Sequence, residues 1–231
     1  MILPWIAHLY TAVGAVVAFA ATIAIIERDF RTAFLALVIA AFIDASDGWL
    51  ARWARVKERL PQYDGARLDD IVDYLTFVFV PVLLVWRAGL LPEPGGLWVA
   101  SAVLISSAYG FGQSDAKVVT TDHFFTGFPS YWNILAVYLY VWHLPAAINA
   151  TVLMVCAVLV FVPIRYVYPS RTRVLRATTL TLSVVWAALF CVMIWRLPAT
   201  DGPWMALSVI FPVYYFALSL WLHFARLRSA P

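Results

Sequence analysis

Asp44, Asp47, Asp69 and Asp73 are four carboxylates set in two stretches that otherwise read as membrane spans, and acids so placed suit the capture of divalent cations. A helix turns about 100° per residue, so with Asp44 at zero Ala51 falls at about −20°, Gly48 at about +40°, Asp47 at about −60° and Arg52 at about +80°. One side of the helix thus carries two acids, two residues with almost no side chain, and a guanidinium. The acids would bind metal, the small residues would let a bulky ligand lie against the backbone, and the guanidinium would hold phosphate. Asp69 and Asp73 are four residues apart and share a helix face, with Asp70 on the far side of Asp73 and left open by geometry. Oxygen-only ligands point to Mg²⁺ or Mn²⁺, and no His or Cys is placed to select zinc. An ionised side chain deep in a bilayer costs about 2.5 to 3.5 kcal/mol on insertion scales. Four carboxylates against two divalent ions sum to zero. Two such metals about 3.5 to 4 Å apart stabilise both the entering and the leaving oxygen of an in-line phosphoryl displacement. Two other readings compete: ordinary helix-end acids, with Asp64 or Asp70 as caps, and the cation pathway of a transporter.

The elements that must position these acids are membrane helices. At 64% hydrophobic and 13% charged residues, the chain is far more apolar than a water-soluble domain, for which about 45 to 50% is usual. Apolar stretches long enough to cross about 30 Å of hydrocarbon occur at roughly 4–26, 31–53, 69–90, 96–112, 130–144, 146–168, 174–196 and 204–225. The expected fold is therefore all-α, a polytopic helix bundle of about eight transmembrane helices forming a single membrane domain over 1–231. The first stretch is read as a retained span, since it lacks a signal peptide's basic start and has a longer apolar run. Eight spans sort the 16 Lys and Arg twelve to one side and four to the other. The positive-inside rule then puts both termini and the loop between the second and third spans in the cytoplasm. The small net charge of +3 raises no expectation of a nucleic-acid partner. Cys156 and Cys191 sit in apolar runs and read as small buried hydrophobes.

At Asp44, Asp47, Gly48, Ala51, Arg52, Gly65, Asp69 and Asp73 the chain resembles the CDP-alcohol phosphotransferases, whose signature is two acids three apart, then Gly, Ala and Arg, then Gly and two further acids at four-residue intervals. Twelve residues separate Arg52 from Gly65, a longer gap than in most members. That gap, the stretch GARLDDIVDY at 65–74 and FTGFPSYWN at 125–133 are similar to the bacterial branch that uses choline as acceptor. The resemblance implies condensation of CDP-diacylglycerol with choline to phosphatidylcholine and CMP, in a bacterial inner membrane with the site facing the cytoplasm. It further implies two Mn²⁺ or Mg²⁺ ions held by Asp44, Asp47, Asp69 and Asp73, with Asp73 taking the proton of the attacking hydroxyl. Asp44, Gly48, Ala51, Arg52 and Gly65 would contact CDP-diacylglycerol. Membrane lipids are the expected surroundings, and pairing into a homodimer is common among members. Serine, inositol phosphate or glycerol phosphate as acceptor is the alternative within the family.

A quaternary ammonium offers no N–H to donate, so its recognition falls to aromatic faces and a nearby negative charge. Tyr131 and Trp132, with Asp122 as the charge, are the candidates for choline, although Tyr and Trp also gather at membrane interfaces without any ligand. Arg165 and Arg171, in a basic cluster between the sixth and seventh stretches, are candidates for phosphate or a lipid headgroup, where topology alone would also place cations.

Overall fold

The structure is a computed structural model and describes residues 2–113, 124–169, 172, 174–199 and 202–229. Its helices are α1 (Ile2–Ile26), α2 (Phe30–Trp53), α3 (Val56–Arg59), α4 (Gly65–Asp73), α5 (Val80–Arg87), α6 (Gly96–Gly112), α7 (Trp132–Trp142), α8 (Ala146–Leu159), α9 (Arg176–Trp195) and α10 (Trp204–Ser229). Two short strands, β1 (Phe124–Thr126) and β2 (Arg165–Val167), pair antiparallel with Phe125 opposite Tyr166.

Helix stands at each of the eight places where apolar length predicts a span, but the lengths differ. Among the described residues, α1, α2, α9 and residues 204–225 of α10 are long and apolar enough to cross a membrane, whereas α6, α7 and α8 are shorter. The third stretch is divided: α4 runs into a π-helical segment, Tyr74–Phe79, and that into α5 without leaving helical geometry. Pro81 gives the physical reason. It brings no N–H, and its ring clashes with the carbonyl four residues back, so a widened turn just before it relieves the conflict. The Val80 amide accordingly donates to Leu75 O, five residues back. The expected sixth span, 146–168, is also overdrawn. Its helix stops at Leu159, and residues 165–167 form β2.

By contact the chain divides into two compact units, the first comprising 1–104 and 131–150, the second 105–130 and 151–231. In the first unit α1 packs on α2, α4 and α5. Two close approaches fix α1 on α4, because Gly14 and Gly65 leave room that other side chains fill. A Cβ on Gly14 would stand 2.5 Å from Val72 Cγ1, and one on Gly65 would stand 2.6 Å from His8 Cε1. Helix starts are capped by side chains: Asp29 accepts from the Thr32 amide at 3.0 Å, and Asp64 accepts from the amides of Ala66 and Arg67 at 3.1 and 3.2 Å. Tyr140 of α7 lies edge-on to Phe34 of α2. Fully buried Asn149 donates to Leu90 O at 3.0 Å, which ties the turn after α5 to the start of α8.

In the second unit α9 packs against α10, with Thr179 Oγ1 and Tyr214 Oη 2.8 Å apart and the Trp186 ring between Phe190 and Phe211. Strand β2 leans on α10: the Val167 amide donates to Ser219 Oγ at 3.0 Å, and Tyr166 stacks on Tyr215.

Candidate active site

The acids come together because α1 grips both helices that carry them. The turn after α1 makes α1 and α2 an antiparallel pair, so residues at similar distances before and after the turn at Arg28 and Asp29 face one another. Tyr10 Oη lies 2.8 Å from Ser46 Oγ, and Thr11 Oγ1 donates to Asp47 Oδ2 at 2.8 Å. The Gly14 and Gly65 approaches seat α4 on the same helix, with His8 and Gly14 one turn to either side of Thr11. The result is a triad in which one oxygen from each of Asp44, Asp47 and Asp69 lies within 4.8 Å of the others.

Three negative charges at that spacing repel by at least about 3 kcal/mol per pair at an effective dielectric constant of 20. Asp47 is 8% exposed, and among the described residues its one hydrogen-bond partner is the neutral Thr11 hydroxyl. A buried carboxylate in acidic company, with a neutral donor, fits a hard divalent cation: the donors are all oxygen, and three of them converge from two helices. Asp73 is the last residue of α4, one turn beyond Asp69 and directly before the π segment. It is half-buried and lies outside the close triad. Arg52 folds back along α2, its Nη1 3.2 Å from where a Gly48 Cβ would be, so the missing side chain at 48 gives the guanidinium a shelf one turn from Asp47. Ala51 is half-buried on the same helix and packs with Leu50 and Leu3 against Ala7, Ala54 and Val56.

Residues 4–163 match the family described as CDP-alcohol phosphatidyltransferase, well over half of the chain. The chain belongs to the CDP-alcohol phosphatidyltransferase family. Relatives named phosphatidylcholine synthase are 39% identical in Legionella pneumophila, over 94% of this chain and 87% of the relative, and 34% identical in Pseudomonas aeruginosa, over 94% and 90%. A further one, in Legionella bozemanae, is 40% identical over 85% of this chain and 93% of the relative.

Other positions expected to matter in this CDP-alcohol phosphatidyltransferase stand, where described, at the start of α4, at the start of α7 and on β2. The space beside Gly65 is filled by the His8 ring, which is itself buried and packed on Tyr63 at 4.4 Å between centroids. Tyr131 is half-buried and caps the start of α7, and Trp132 is 2% exposed, so its ring is enclosed by protein. Arg165 begins β2, its amide 3.4 Å from His223 Nδ1 and its Nη1 buried. Asp122 and Arg171 lie outside the described residues. Of the two suggested caps, Asp64 is one, and it also pairs with Arg67 at 3.2 Å. Sequence reasoning missed Thr11 and His8. Counting outward from the turn at Asp29 would have put Thr11 opposite Asp47.

Proposed function

We propose that the chain condenses CDP-diacylglycerol with choline to give phosphatidylcholine and CMP. The observation that carries this is the oxygen triad of Asp44, Asp47 and Asp69, in a chain of this family whose relatives bear the name of that activity. Asp44, Asp47, Asp69 and Asp73 would hold two divalent ions, Mn²⁺ or Mg²⁺, which when bound supply Lewis-acid stabilisation to both oxygens of the displacement. Arg52, resting over Gly48, binds a phosphate oxygen of the diphosphate as a forked donor. Asp44, Gly48, Ala51 and Gly65, with Arg52, are the proposed contacts of CDP-diacylglycerol. Asp73 accepts the proton of the choline hydroxyl as that oxygen forms its bond to the phosphatidyl phosphorus. The bond from that phosphorus to the CMP oxygen breaks, and CMP leaves as the anion.

Tyr131, Trp132 and Asp122 remain the proposed contacts for the trimethylammonium. Arg165 and Arg171 remain proposed for phosphate or headgroup. The proposal also includes eight spans within one domain over 1–231, both termini and the acid cluster on the cytoplasmic face of a bacterial inner membrane, and pairing of two copies. The sidedness rests on twelve of the 16 cations falling on the side of the 53–64 loop.

The test is CMP release by the purified protein with CDP-diacylglycerol, Mn²⁺ and one alcohol at a time. Choline should support release, while serine, inositol phosphate and glycerol phosphate should not. Release driven by one of those three, and not by choline, would overturn the acceptor.

A further inference from the structure

We propose that Thr11 is a positioning residue: its hydroxyl fixes the carboxylate plane of Asp47 so that an oxygen of that group is presented to the divalent cation. The inference rests on the metal reading of the acid triad and deepens it. Thr11 Oγ1 is 2.8 Å from Asp47 Oδ2 and 3.5 Å from Ala7 O in its own helix. A hydroxyl has one hydrogen, and the nearer, charged acceptor takes it. Both residues are 8% exposed, so water does not compete freely for either.

The last torsion of an aspartate is soft and roughly two-fold, so packing alone sets its plane poorly. One short hydrogen bond to Oδ2 removes that freedom, and a carboxylate oxygen has lone pairs left over for a metal. The chemistry of the donor matters as well. An Arg or Lys at position 11 would neutralise Asp47 and take the place of the cation. Threonine orients the ligand while leaving its charge intact. Donors of this kind, behind a metal-binding group, typically govern metal affinity by about 10- to 100-fold.

The neighbouring Tyr10 to Ser46 bond, also 2.8 Å, joins the same two helices and provides a control. Ser46 has two further acceptors, Phe42 O at 2.7 Å and Ile43 O at 3.1 Å, and belongs to no acid cluster. Removing this clasp tests helix packing without touching an acid.

The experiment measures Mn²⁺ uptake by the purified full chain, from the spin-resonance signal of free Mn²⁺, beside the Mn²⁺ dependence of CMP release. Thr11→Val should raise the half-saturating Mn²⁺ concentration by about tenfold or more in both assays. Thr11→Ser, which keeps the hydroxyl, should stay near the unaltered protein. Tyr10→Phe should lower the melting temperature and leave the Mn²⁺ curve in place. Should Thr11→Val not fold, Thr11→Ala carries the same comparison. Unchanged Mn²⁺ binding in the Val or Ala variant overturns the inference, as does a Ser variant shifted as far as Val, or a Tyr10→Phe shift of equal size. If the unaltered protein takes up no Mn²⁺, or Asp69→Asn takes it up equally well, the metal reading itself fails. Uptake that needs Asp69 and ignores Thr11 sinks this inference alone.

Discussion

At the scale of single residues, the two interhelical contacts most critical for the site are made by the smallest and the most specific groups. Gly65 is required because the His8 ring already stands where a methyl would go, 2.6 Å from the nearest ring carbon. Gly65→Ala should therefore destabilise the chain by about 1 to 3 kcal/mol, the usual range for overpacking. His8→Ala in the same chain should recover much of that loss, measured as melting temperature. Failure of the double variant to recover would show that the methyl is resisted by something other than the ring. A separate prediction concerns chemistry. Asp73→Asn keeps the shape and loses the basic oxygen, so CMP release should fall by about 10²- to 10⁴-fold, the span typical of a general base. Mn²⁺ uptake should fall less than in Asp69→Asn, whose oxygen belongs to the close triad.

At the scale of the element, α2 depends on its start and α4 on its exit. The Thr32 hydrogen bonds hold the Asp29 carboxyl below its ordinary value of 3.8, with a smaller contribution from Arg31. A carboxyl whose folded pKa is depressed stabilises the fold above its unfolded pKa, and that contribution is lost as pH falls through the folded pKa. Asp29→Ala should thus cost about 1 kcal/mol at neutral pH, as loss of a cap does. Denaturant titration along a pH series should show the gap between variant and parent closing below about pH 3.8, the ordinary carboxyl value. For α4, the π segment directly after Asp73 is attributed to Pro81. Pro81→Ala restores the missing donor and should raise the melting temperature. The same change should lower CMP release, since tightening six residues, Tyr74–Phe79, turns Asp73 relative to α5. A variant with unchanged stability would place the cause of the widened turn elsewhere.

At the scale of the whole molecule, a membrane chain that gathers an acid triad around a buried Asp47 should be measurably looser without its cation. Binding to the folded state alone adds about 2.7 kcal/mol when the free ion exceeds its dissociation constant a hundredfold. Chelator should accordingly lower the melting temperature of the purified chain, and Mn²⁺ should restore it in the parent but not in Asp69→Asn. Equal melting curves with and without Mn²⁺ would speak against a structural coupling of metal and fold.

Whatever depends on local order along one helix was legible in the residues alone. Composition made the chain a membrane protein, a period of about 100° per residue put Asp44, Asp47, Gly48 and Ala51 on one side of α2, and spacing placed Asp69 with Asp73. Apolar length located helix at all eight expected places, yet it overran α8, because length alone passes over Pro163, which has no N–H to carry a helix on, and Arg165. Packing between helices settled the rest: which acids meet, that Thr11 donates to Asp47 and that His8 occupies the room beside Gly65. Those contacts join residues 36 and 57 positions apart. They depend on how closely two helices approach and at what angle, quantities that no period within either helix encodes.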